Sequence, residues 1–107
     1  MANPESKIVR QVIESIKSNY PGAYVRKING NLFQHPGIPD IICCINGKFI
    51  GLEIKTGNGK TSLIQQLEGS VILAAGGIYG VATSPKQALD IIALGFKSNE
   101  ILLFNSK

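Results

Sequence analysis

A chain of 107 residues has room for one hydrophobic core, so a single domain spanning 1–107 is expected. Eleven Lys and Arg against seven Asp and Glu leave a net charge of +4, which suits a polyanionic partner without requiring one. Cys43 and Cys44 are adjacent, the N-terminus lacks the apolar core of a signal peptide, and no apolar run nears the roughly 20 residues of a membrane span; a disulfide-stapled scaffold, a cysteine zinc site and a membrane helix are therefore excluded, and a reduced, cytoplasmic setting is expected.

Taken in chain order, residues 5 to 19 read as a helix, with Ile8, Val9, Val12, Ile13 and Ile16 at helical spacing, Asn3 as cap and Pro4 at the first position. Pro21-Gly22 ends it. Residues 23–28 (AYVRKI) read as a strand closed by Asn29-Gly30-Asn31, and LFQHPGIP follows as a loop. Residues 40–45 and 48–54 are β-rich runs around Asn46-Gly47, the strongest short hairpin signal. Both runs are apolar on both faces, which predicts central strands in a covered sheet. Residues 56–61 are loop. A helix is predicted over 63–75, capped by Ser62 with Gln65 three residues on and stopped by Gly76-Gly77. Residues 78–83 form a strand parallel to 48–54, because a helix connects the two. Ser84-Pro85-Lys86-Gln87 opens a last helix that runs to about 94. The apolar tail 101–104 reads as a short edge strand or a dimer contact. The order α-β-β-β-α-β-α predicts an α/β fold, a mixed sheet flanked by helices. The 44% hydrophobic content also points to a buried interface, most simply a two-fold homodimer using the last helix and the tail.

The hairpin carries the chemistry. With Asn46 and Gly47 as its loop, Ile45 faces Lys48, Cys44 faces Phe49 and, continuing outward, Asp40 faces Glu53. Opposed side chains share a face with Cβ atoms about 5 Å apart, and Lys55, two residues on, shares it too. Like charges opposed on a sheet are unfavourable by up to about 1 kcal/mol, and burial adds to that. A divalent cation offsets the cost, since magnesium takes one or two carboxylates together with water and phosphate oxygens. Ile42, Cys44 and Phe49 lie on the same face, which argues against a merely solvated pair of acids.

Gly37-Ile38-Pro39-Asp40, the short hairpin, Glu53-Ile54-Lys55-Thr56, a glycine-containing loop, Ser62-x-x-Gln65 and Gly76-Gly77 resemble the VRR-NUC family, the virus-type replication-repair nuclease domain of the PD-(D/E)xK superfamily. The likeness covers roughly residues 5–84. It implies a restriction-endonuclease-like core and a kinship with Holliday junction resolvases, in a compact form typical of phages and bacteria. It implies Mg²⁺ or Mn²⁺ on Asp40 and Glu53, with the Ile54 carbonyl completing the shell. Lys55 would orient or activate the attacking water or stabilise charge on the phosphate. Gln65 would position water or DNA near the metal, beside its capping role. The family also uses a glutamate on the first helix, for which Glu5 and Glu14 are the candidates. At 100° per residue from Ile8, Glu5 falls at about 60°, inside the apolar stripe, and Glu14 at about 240°, on the outer face. Glu5 is therefore the candidate for the metal site.

Other signals are weaker. Gly57-Asn58-Gly59-Lys60-Thr61 lacks the first glycine of a phosphate-binding loop, since position 54 is isoleucine in a strand; Lys60 better suits a DNA phosphate. His35, the only histidine, excludes a multi-histidine metal site and a one-chain Ser-His-Asp triad, and is a candidate DNA contact. Arg26 and Lys27 face opposite ways on the first strand, so one of them can approach the scissile phosphate. Tyr20, Tyr24 and Tyr79 form no aromatic ladder. The expected activity is a metal-dependent DNA endonuclease that reads branched DNA by shape, a four-way junction first of all, as a homodimer. A flap, nicking or unspecific endonuclease with the same site is the enzymatic alternative, and a catalytically inactive DNA-binding module is the alternative of another class.

Overall fold

A computed structural model of the chain describes residues 3–30 and 35–105. The elements are α1 (Pro4–Asn19), β1 (Tyr24–Lys27), β2 (Ile41–Ile45), β3 (Lys48–Ile54), α2 (Leu63–Ala74), β4 (Ile78–Ala82) and α3 (Pro85–Asn105). This is the predicted order. The strands form one sheet in the order β1-β2-β3-β4; β1, β2 and β3 are antiparallel neighbours, and β4 runs parallel to β3 after the α2 crossover. Among the described residues no helix is long and apolar enough to cross a membrane.

Local chemistry sets these boundaries. The Asn3 side chain accepts from the Ser6 N–H at 2.8 Å and starts α1 ahead of Pro4. Asn46 and Gly47 both take positive φ, 51° and 79°, the twist that a two-residue hairpin requires, and the register falls as the turn dictates, with Cys44 opposite Phe49 and Ile41 opposite Leu52. Ser62 and Gln65 form a full capping box at the start of α2. At α3 the Gln87 N–H donates to Ser84 Oγ at 3.2 Å, while its side-chain oxygen accepts from Thr83 N–H instead of the cap residue's own.

Ile41, Cys43, Ile45, Ile50, Leu52 and Ile54 alternate onto one face of the sheet and are buried with Val9, Val12 and Ile16 of α1 and Ala88 and Ile92 of α3. Burial there pushes the Cys43 thiol up to about 12, which makes it an inert core group. The opposite face is covered by α2, which comes close enough that a Cβ on Gly69 would run into the Tyr79 ring, and one on Gly51 would meet Pro39 Cγ at 2.8 Å.

Two expectations are corrected here. The last helix does not stop near 94: Gly95 marks the point where α3 presses on the Ile78 side chain, and the chain stays helical to Asn105, so 101–104 is no edge strand. The acidic face is not covered throughout either. Cys44 and Phe49 are exposed, because α2 lies over β3 and β4 only. Residues Asn31 to Gln34 of the predicted turn and loop lie outside the described residues.

Candidate metal-binding and active site

Asp40 stands one residue before β2. Its carbonyl accepts from Ile28 N–H at 2.8 Å, which carries the sheet pairing one step beyond the strands. Glu53 is the next-to-last residue of β3, so the register of the hairpin places the two carboxylates side by side. Buried Pro39 packs over Gly51 next to them. The proline before Asp40 and the glycine two before Glu53 thus serve packing, and the acids take the last positions at the strand ends.

Glu53 is only 1% exposed, the sole buried charged residue among those described. Its Oε1 accepts from Gln65 Nε2 at 2.9 Å, while its Oε2 is buried without any partner. Asp40 Oδ2 accepts from Ile54 N–H at 2.7 Å, a bond from the strand that carries Glu53. Burial pushes the Glu53 carboxyl up to about 8; a hydrogen bond with the Asp40 carboxyl and its charge act in the same direction, as does Glu5 more weakly, against the pull of Lys55. The same two acids, after burial itself, push the Tyr79 phenol above its ordinary value.

A buried carboxylate oxygen with no partner costs on the order of 1–3 kcal/mol or more, and the loss falls on one atom beside a second carboxylate. A hard divalent cation fits that atom and donor set. Among the described residues no three of His, Cys, Asp and Glu come together, so such an ion would have Asp40 and Glu53 from side chains and take its other oxygens from backbone, such as the Ile54 carbonyl, from water or from phosphate.

The remaining candidates fall into two groups. Gln65 is in place twice over: its Oε1 accepts from Ser62 N–H at 2.8 Å for the helix cap, while its Nε2 holds Glu53. Lys55 is half-buried, its N–H donates to Ala82 O at 3.1 Å, and its charge is felt at Glu53. Glu5 is half-buried in the first turn of α1 and its charge reaches Glu53, although it does not join the pair; Glu14 is exposed, as the helical phase predicts. Arg26 pairs with Ile42 in register and lies on the acidic face, but its guanidinium stacks over Tyr24 at 4.3 Å and donates to Val25 O. Lys27 is not at the site. It lines a groove between α1 and β1 with Arg10 and Lys17. His35 pairs with Glu68 of α2 at 3.3 Å, and Lys60 is exposed in the loop before α2.

Tyr79 is the neighbour that sequence reasoning passed over. Its hydroxyl donates to the Gln65 carbonyl at 3.4 Å and its ring fills the space left by Gly69, so it fixes the helix turn that presents Gln65. The signal was present as a small residue, Gly69, in the middle of an apolar helix, a sign of close approach.

No family model matches the sequence, and no curated protein matches it. The fold does have a match: a solved structure described as a VRR_NUC domain superposes with a TM-score of 0.64 at 25% identity, over 86% of this chain and 97% of that one. With that fold over most of its length, and with Gly37-Ile38-Pro39-Asp40 meeting Glu53-Ile54-Lys55 across its central hairpin, the chain belongs to the VRR-NUC family of PD-(D/E)xK nuclease-type domains.

Proposed function

We propose that the chain is a metal-dependent DNA endonuclease that hydrolyses phosphodiester bonds, acts as a homodimer and prefers branched DNA, a four-way junction above all. The observation that carries the reading is the buried Asp40–Glu53 pair with one carboxylate oxygen unpartnered, a costly arrangement with no structural return. Asp40 and Glu53 would hold Mg²⁺ or Mn²⁺, with the Ile54 carbonyl beside them. The ion, when bound, supplies Lewis-acid polarisation of the phosphate and a lowered pKa for water. Gln65 keeps the Glu53 carboxylate in one orientation, so its second oxygen stays aimed at the site. Lys55 places a positive charge where negative charge grows on the phosphate oxygens in the transition state. Glu5 adds negative potential at the rim and suits a contact through water. Lys60, on the loop before α2, and Arg26, on the acidic face, suit phosphates on either side of the scissile one, with His35 at the loop edge. Lys27 belongs to a basic groove on the far side and suits only a DNA segment that wraps the molecule.

The test is cleavage of labelled four-way junction, flap, nicked and plain duplex DNA with Mg²⁺, Mn²⁺ or EDTA, alongside Asp40→Ala and Lys55→Ala. Paired metal-dependent cuts in the junction alone, lost in both variants, are expected. Cuts in every substrate would remove junction preference and keep the nuclease. No cutting at all, with unaltered DNA binding in the variants, would leave a binding module.

A further inference from the structure

Four strands at the usual spacing make a sheet about 19 Å across, and a helix with its side chains covers about 10 Å, so each face accommodates two helices. On the core face α1 and α3 fill both places. On the acidic face α2 stands alone over β3 and β4. Among the described residues the β1–β2 half is bare, and the cross-strand row Tyr24, Cys44, Phe49 lies open, with Tyr24 53% and Phe49 42% exposed.

The helix itself shows the complementary surplus. Gly69, Ile72 and Gln65 point to the sheet, whereas Leu63, Leu67 and Val71, spaced i, i+4, i+8 on the side away from it, are 70%, 58% and 63% exposed. The only charge on α2, Glu68, is paired with His35. A helix that is apolar on the side away from its own domain is a surface for something else to bury. With Ile64, these side chains expose on the order of 600 Å² of apolar area, against about 800 Å² per partner in a standard stable interface.

We propose that a second copy of this chain docks on this face about a two-fold axis. The two sheets face each other with both α2 helices side by side between them, each over its own β3–β4 half and over the partner's β1–β2 half. The chain has one uncovered half-sheet and one helix with an unburied apolar side, and two-fold symmetry satisfies both at once. Charge agrees: the chain carries a net +4, and α2 brings no Lys or Arg to the contact. The interface also braces the helix whose Gln65 holds Glu53, in both copies. This rests on the two-fold part of the function proposed above, to which it assigns a surface, and is independent of the nuclease part.

Sedimentation velocity at tens of micromolar is expected to show a dimer for the wild type and a monomer for the double variant Leu67→Lys, Val71→Lys, with unchanged far-ultraviolet dichroism. Leu94→Lys, in the separate apolar groove of about 430 Å³ between α2, β4 and α3, is expected to remain dimeric. A second measurement needs no variant. Cys44 should react slowly with a thiol reagent at high protein concentration and at least tenfold faster on dilution, while buried Cys43 stays silent. A wild type that is monomeric throughout, Cys44 labelling independent of concentration, or loss of the dimer in Leu94→Lys would each overturn the proposal. Mn²⁺ binding and cleavage, read on the same samples, separate the two readings: a monomeric nuclease sinks only the interface, and a dimer that neither binds metal nor cuts sinks only the nuclease.

Discussion

Glu53 concentrates the conflict in this molecule. It sits among apolar neighbours, touches a second carboxyl and leaves one oxygen unbonded. Its side chain ionises near 4.5 in the unfolded chain and near 8 in the folded one. Between those values the folded state binds a proton that the unfolded state has lost, so without metal stability falls as pH rises through this window and levels off above about 8. Thermal unfolding in EDTA should therefore give a lower Tm at pH 8 than at pH 5, a difference of order a few kcal/mol at most, and Glu53→Gln should flatten that dependence. An equal Tm at both pH values in the wild type would contradict it. Asp40→Asn should act the same way from the other side: it removes the neighbouring charge, raises metal-free stability at pH 8 by about 1 kcal/mol, and abolishes cleavage. Lys55→Ala should keep Mn²⁺ affinity within a few-fold and lower the cleavage rate by about 100-fold or more, the size of a lost charge-stabilising group.

At the scale of the element, α2 joins folding to chemistry. Its N-terminal glutamine closes the capping box with one end of its amide and holds Glu53 with the other. Two substitutions separate the roles. Ser62→Ala should cost about 1 kcal/mol of stability with little change in cleavage, whereas Gln65→Ala should cost a similar amount and reduce cleavage as well. Comparable cleavage by the two variants would leave Gln65 as a cap alone. Gly69→Ala should destabilise by about 1–3 kcal/mol, since the new methyl group meets the Tyr79 ring and must push the helix from the sheet; chemical denaturation checks it. The cap was legible in Ser62-x-x-Gln65, because a capping box is local in sequence. The grip of Gln65 on Glu53 was not, because it joins groups twelve residues apart across a loop.

At the scale of the whole molecule, metal, proton and fold are linked. Mn²⁺ must displace the proton from Glu53, so it should raise Tm more at pH 8 than at pH 5.5, and EDTA should reverse the shift. Absence of any metal-induced shift at pH 8 would remove the cation from the site. The sequence by itself determined the seven elements and their order, the hairpin register that sets Asp40 beside Glu53, and the inward phase of Glu5, because caps, Asn-Gly turns and hydrophobic periods are written in neighbouring residues. Only the tertiary structure decided that Gly95 is a crossing point inside a longer α3, that Arg26 and Lys27 part to opposite sides, that Tyr79 backs Gln65, and that half of the acidic face lies bare. Those outcomes depend on which surfaces meet across the chain, and periodicity tells which side of an element is apolar without telling what covers it.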